Sequence, residues 1–168
     1  QEVDISLQIE HPSIIKCIGY GEKKIKDNFK QVIVYDYAPN KSLDLLFDSI
    51  RNNQKIVEWN DTKKLINIYG IAAAMSFLHS NQIIHCNLQP NNILLDKDFY
   101  PKICDFESSK KITLENQIND SYLRGSPAYV APEVYSGLYY RKACDVYSFA
   151  FIVYELMTNE KPYSNIND

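Results

Sequence analysis

Nothing in the chain reaches the ~18 consecutive apolar residues that a membrane-spanning helix needs. The longest apolar stretch, Val146 to Met157, is broken by Ser148 and Glu155, which fits a buried core helix better. The opening residues, QEVDISLQIE, lack the basic cluster and apolar core of a signal peptide. An excess of one charge is missing as well. Lys and Arg number 18 against 21 Asp and Glu, a net charge of −3, and the aromatics do not interleave with basic residues. These absences argue against a nucleic-acid or membrane partner. Cys17, Cys86, Cys104 and Cys144 form no CxxC. They read as reduced thiols, so a cytoplasmic protein is expected. A zinc site on His85, Cys86 and Cys104 is rejected for want of a fourth ligand. A phosphate-cradling glycine loop is missing too: Gly19 and Gly21 make a GxG, but Lys24 fills the third glycine's place. A strand-end turn is the reading there.

What is present is an ordinary globular balance, 45% hydrophobic and 23% charged over 168 residues, enough for one domain with a real core. Residues 2–5 are helical in character, and the pattern runs to His11-Pro12. IIKCIGYGEK and FKQVIVYDY read as two β-branched and aromatic strands around a charged turn. Ser42 is placed to cap a helix carrying Leu43, Leu46, Phe47 and Ile50 on one face. A longer helix is predicted from Asn60-Asp61, with Leu65, Ile68, Tyr69, Ala72, Met75 and Leu78 as its stripe. NILLD and PKICDF form a strand pair, a polar stretch runs from Glu107 to Ser126, and APEVYSG makes a short helix ending at Gly137. From Asp145, DVYSFAFIVYELMT reads as a helix apolar nearly all round. The class is α+β, dominated by helix.

Four segments, HCNLQPNNILL, ICDFE, GSPAYVAPE and DVYSFAFIVYELMT, occur in a telling order. They resemble the signatures of eukaryotic protein kinases, HRDLKPxN, DFG, GTPxYxAPE and DVWSFG. Asn87 to Asp105 is 18 residues and Glu133 to Asp145 is 12, both as that fold would place them. HPSIIKCIGY is similar to the segment after the kinase C-helix. The details look most like the tyrosine-kinase-like group of serine/threonine kinases. The resemblance implies a partial kinase-like domain over 1–168, with 1–38 a remnant of the N-lobe and hinge and 39–168 the C-lobe through the long buried helix.

Residue by residue, the resemblance implies the following. Asn92 and Asp105 match the Mg²⁺-binding positions, and oxygen ligands suit that cation. Glu2 matches the C-helix glutamate, whose lysine partner would lie upstream of residue 1. Tyr35 guards the back of the nucleotide pocket, Asp36, Tyr37 and Ala38 form the hinge that meets adenine, and Leu94 lies under the ring. Asn87 replaces the catalytic aspartate, and a carboxamide cannot take a hydroxyl's proton at neutral pH. Gln89 replaces the lysine that compensates phosphate charge. Cys86 replaces an arginine that would anchor an activation-segment phosphate, and Glu107 replaces a glycine. Ser6 stands where a large apolar residue would stack. Asp145 would accept hydrogen bonds from the 85–87 backbone, although a capping role alone would suffice for it. Glu133 would seek an arginine beyond residue 168. Ser108, Ser109, Thr113, Ser121, Tyr122 and Ser126 offer phosphate acceptors, though a mobile polar loop is the preferred reading of that stretch.

Three functions follow. The first is a catalytically impaired, pseudokinase-like domain acting as scaffold or regulator of a protein partner, with ATP and Mg²⁺ bound weakly or lost. The second is an active kinase phosphorylating protein substrates. The third is a non-functional fragment, in which Ile5, Ile9 and the long helix would lack packing partners.

Overall fold

The computed structural model describes residues 2–25, 28–112, 125–137 and 140–164. A first helix, α1 (Glu2–Gln8), leads to an antiparallel pair, β1 (Cys17–Ile25) and β2 (Asn28–Tyr35), in register from Cys17 opposite Tyr35 to Ile25 opposite Asn28. Helix α1 stops at Gln8, short of the expected His11-Pro12. Gly19 and Gly21 lie within β1, beside the register shift between Cys17 and Gly19, rather than in a terminal turn. Residues 26–27, where the charged turn is expected, lie outside the described residues.

The helical part follows: α2 (Leu43–Arg51), α3 (Asp61–Ser80), β3 (Ile83–Ile84), β4 (Ile93–Leu95), β5 (Pro101–Ile103), β6 (Lys110–Lys111), α4 (Pro132–Tyr135) and α5 (Lys142–Thr158). Three short antiparallel pairs result, β1–β2, β3–β6 and β4–β5. Single 3₁₀ turns at Pro90–Asn92 and Pro127–Tyr129 flank the central loops. The segment between α1 and β1 is tied to β5. Ile15 N–H donates to Ile103 O at 2.9 Å, and Ile103 N–H to Ser13 O at 2.8 Å.

Asn60 caps α3, its Oδ1 accepting from the Lys63 amide at 3.0 Å. Ser42 takes the corresponding place before α2, but its side chain makes no capping bond. Leu43, Leu46 and Phe47 turn inward as expected. The stripe of α3 is rotated from the expectation: Asn67, Gly70, Ile71, Ala74, Met75 and Leu78 are buried, whereas Leu65 and Tyr69 are exposed. Close packing explains the shift. A methyl group on Gly70 would sit 2.7 Å from Pro101 Cγ and 2.8 Å from Ser13 Oγ, so β5 and the 13–15 segment lie directly against that face. Asn67 goes inward because its amide donates to Lys63 O at 2.8 Å and Phe99 O at 2.9 Å.

Helix α5 starts at Lys142, so Asp145 lies inside its first turn and Arg141 holds the cap position. It is not apolar all round in its packing. Val146, Tyr154 and Met157 are exposed, while Ile152 and Leu156 enter the main core with Phe47, Ile71, Leu78, Ile93 and Phe106. Each such fully buried aliphatic or aromatic side chain contributes about 1.5–3 kcal/mol. Ile5 and Ile9 belong to that core and are buried, contrary to the expectation that they would lack partners. Among the described residues no helix is long and apolar enough to cross a membrane.

Candidate functional site

The loop from His85 to Asn92 crosses between β3 and β4, and its position is set from below by α5. Asp145 is buried, and both of its oxygens are used. Oδ2 accepts the His85 N–H at 2.9 Å and Oδ1 the Cys86 N–H at 3.0 Å. His79 Nε2, from the last turn of α3, lies 2.9 Å from the same Oδ2. The role expected of Asp145 toward this loop is the one it plays, and it does not cap α5. These bonds hold Cys86 at φ 64°, in the left-handed region that a side chain rarely adopts.

His85 is fully buried, with its ring 5.3 Å from that of Phe106. Nδ1 accepts the Asn87 N–H at 3.3 Å, so Nε2 carries the proton and donates to Cys104 O at 3.0 Å. Burial pushes the imidazole below its ordinary pKa of 6.5, against the pull of Asp145, Cys104 O and Asp105. The ring is neutral and structural. Ser109 is buried too, donating its hydroxyl to His85 O at 3.1 Å. Ser108 and Ser109 are therefore not the accessible phosphate acceptors the polar stretch suggested, and Thr113, Ser121 and Tyr122 lie outside the described residues.

Above this scaffold four of the sequence-picked residues meet. Asn87 Nδ2 donates to Asp105 Oδ2 at 3.0 Å, and Gln89 Nε2 donates to Asn87 Oδ1 at 2.7 Å. Asn92 Nδ2 donates to Asn87 O at 2.8 Å, and Asn92 itself is buried. Asp105, at φ 65°, turns out of the strand pair. The donor set tests well for a hard cation. It offers one carboxylate and one amide oxygen, and among the described residues no cluster of three or more His, Cys, Asp or Glu forms a self-sufficient metal cage. Mg²⁺ characteristically takes one or two protein oxygens and completes its shell with water and substrate phosphate. Asp105 and Asn92 would hold it, and the ion would supply positive charge toward phosphate oxygens.

The other predicted residues form two further groups. Tyr35 donates its hydroxyl to Glu2 Oε1 at 2.9 Å and lies 3.0 Å from the buried Ser6 hydroxyl. Burial, with the Glu2 carboxylate in support, pushes the phenol up to about 12. Ser6 thus serves as a hydrogen-bonding neighbour of Tyr35. Asp36, Tyr37 and Ala38 line a cavity of about 330 Å³ with Ile9, His11 and Lys102. Leu94 stands apart from that lining, paired with Lys102 in the β4–β5 ladder and bridged to Ser42. Glu133 is not without a neighbour: the Cys144 thiol donates to it at 3.6 Å.

Sequence reasoning missed three contributors. His79, in the last turn of α3, was assigned no role, yet it pairs with Asp145. Arg51 and Glu155 pair at 2.8 Å across 104 residues, with Tyr129 also donating to Glu155. The signal for the pair was a carboxylate inside an otherwise apolar helix, which demands a buried partner. Gln89 reaches Ser126, whose N–H donates to its Oε1 at 3.1 Å, a link that spacing alone does not reveal.

The protein kinase domain family matches residues 1–168. The chain is similar to cysteine-rich receptor-like protein kinase 25 of Arabidopsis thaliana, 37% identical over 168 residues that cover 95% of this chain and 23% of the relative. Cysteine-rich receptor-like protein kinase 10 of the same plant is 34% identical, with 95% and 24% covered. A probable serine/threonine-protein kinase of Dictyostelium discoideum is 31% identical, with 98% and 12% covered. The chain thus spans about a quarter or less of the length of these curated relatives.

Proposed function

The chain belongs to the protein kinase family, and from that premise we propose a pseudokinase-like role, with phosphotransfer lost and the fold used to regulate a protein partner. The observation that carries this is the pairing of Asn87. Its Nδ2 donates to Asp105 and its Oδ1 accepts from Gln89, and a carboxamide oxygen so engaged is not a base that can take a proton from a substrate hydroxyl. A general base contributes about 10²–10⁴-fold in rate. Gln89 brings no positive charge to a transferring phosphate. Asn92 and Asp105 are the residues that would still hold Mg²⁺ with ATP, the pair this family uses. Glu2, Tyr35 and the 36–38 hinge would flank the nucleotide, with Leu94 under its base. The four free thiols suit a cytoplasmic setting.

A second reading, an active serine/threonine kinase, is favoured by those same two oxygen ligands and by the kinase names of the relatives. A radiolabelled-ATP assay separates them. The chain is joined behind the upstream kinase-domain segment of a receptor-like relative and compared with its Asn87→Asp, Gln89→Lys version. The unmodified protein is expected to show no transfer above background, and the restored version a gain of about 10²–10⁴-fold. Brisk transfer by the unmodified protein would sink the proposal. Nucleotide retention is read separately by thermal shift. A stabilisation by ATP that needs Mg²⁺ and vanishes in Asp105→Ala is expected if the two ligands still serve.

A further inference from the structure

We infer that Gln89 and Asn87 are positioning residues, relaying the state of Asp105 to the Gly125–Ser126 backbone through a one-way chain of hydrogen bonds. The direction is dictated by chemistry. An ionised carboxylate only accepts, so Asn87 presents Nδ2 to Asp105 Oδ2 at 3.0 Å. That orientation turns Asn87 Oδ1 toward Gln89, whose Nε2 donates to it at 2.7 Å. Gln89 is left with Oε1 facing Ser126, and it accepts the Ser126 N–H at 3.1 Å. Flipping either amide loses two bonds and sets like poles against each other. Bonds aligned head to tail polarise one another, so each link strengthens the next.

The backbone at the far end is shaped for the contact. Gly125 has φ 104°, and a methyl group there would come within 3.0 Å of Asn87 Oδ1 and 3.9 Å of Gln89 Nε2. Only a glycine lets the segment approach this closely. Gln89 is itself buried, which shields the middle link from water. The result joins a candidate metal ligand to a segment 21 residues further along the chain, Asp105 to Ser126, through three neutral donors. A cation that takes Asp105 Oδ2 competes with the Asn87 amide, and by linkage the Ser126 contact then loosens. Only this coupling rests on the cation-site reading above; the relay itself does not.

Amide hydrogen exchange followed by NMR on the 168-residue chain tests it. Gln89→Ala is expected to speed exchange at Ser126 by about tenfold, the equivalent of one hydrogen bond. Asp105→Ala and Asn87→Ala, which cut the chain at its far end and its middle, are expected to speed it by about threefold to tenfold. Asp105→Asn restores an acceptor oxygen and should bring Ser126 back toward the original rate. Unchanged exchange at Ala74 and Ile152 marks an intact fold. A Ser126 rate that responds to Gln89→Ala but to neither of the other cuts would overturn the relay, leaving Gln89 a local contact. With MgCl₂ added, shifted Asn87 side-chain signals and faster Ser126 exchange are expected. Shifted signals without the faster exchange would overturn the coupling. If Asp105 and Asn92 do not respond to Mg²⁺, the cation-site reading fails, while the substitutions still decide the relay.

Discussion

Two polar side chains serve the same loop in opposite ways. Asp145 lies beneath residues 85–92, buried, with both oxygens filled by the His85 and Cys86 backbone and by His79. Asn87 lies on top, partly exposed, with both ends of its amide filled by Asp105 and Gln89. Below, two buried N–H groups need an acceptor of fixed position, and a carboxylate meets that need with charge-assisted bonds. Above, a neutral amide is matched by a neutral partner: Gln89 donates to Asn87 Oδ1, where a carboxylate at 87 would call for a cation. A charge that holds the backbone is costly to lose. A neutral amide on the half-exposed side is paired at both ends without any charge of its own.

The sharpest way to break this contrast is to remove Asp145. Asp145→Ala strands the His85 and Cys86 amides in the core and releases Cys86 from its left-handed conformation. The expected loss is about 3–5 kcal/mol, read as a fall in the urea unfolding midpoint. A loss below about 1 kcal/mol would mean that the loop is held by its packing and that the carboxylate is dispensable, erasing the difference between the two halves.

A milder test uses pH on the buried half. The His85 imidazole is held below its ordinary pKa of 6.5 by burial. Above pH 6.5 it is neutral whether folded or unfolded, and its full contribution is present. As pH falls below 6.5 the unfolded chain takes the proton first. Stability then declines by up to about 1.4 kcal/mol per pH unit until the folded ring itself titrates. His11 is shifted the same way, by burial and Lys102, and contributes in the same direction. Urea unfolding at pH 7.5 and 5.5 is expected to show the decline, and His85→Gln to flatten it. An equal decline in that variant would assign the effect to other groups.

How much of this was legible follows the same divide. The loop and the DFE segment were readable because short motifs at fixed spacing carry them, and Asp105, Asn87, Gln89 and Asn92 do converge. The strand pair and α2 were readable from β-branched runs and from Leu43, Leu46 and Phe47. What escaped was decided by tertiary contact. Asn67 and Gly70 turn inward because Phe99 O and Pro101 lie there, and a helical-periodicity rule has no way to favour Asn67 over Tyr69. Arg51 and Glu155 are 104 residues apart, and His79 takes its meaning only from Asp145 on another helix. The phosphate-acceptor reading failed at Ser109 for the same reason: its hydroxyl is used by His85 O.

The smallest expected effect is the most discriminating. Asn87→Ala removes the amide that faces both Asp105 and Gln89, yet residue 87 is only partly buried. Water can reach the freed groups, so each lost bond costs its net worth rather than a full desolvation penalty. The expected change is about 0.5–1.5 kcal/mol in the urea midpoint, several-fold less than for Asp145→Ala. If the two cost the same, Asn87 is a structural strut like Asp145, and the amide was selected for stability. If Asn87→Ala costs as little as expected, the loop keeps its shape from below, and the pairing of Asn87 with Gln89 adds only its net hydrogen bonds.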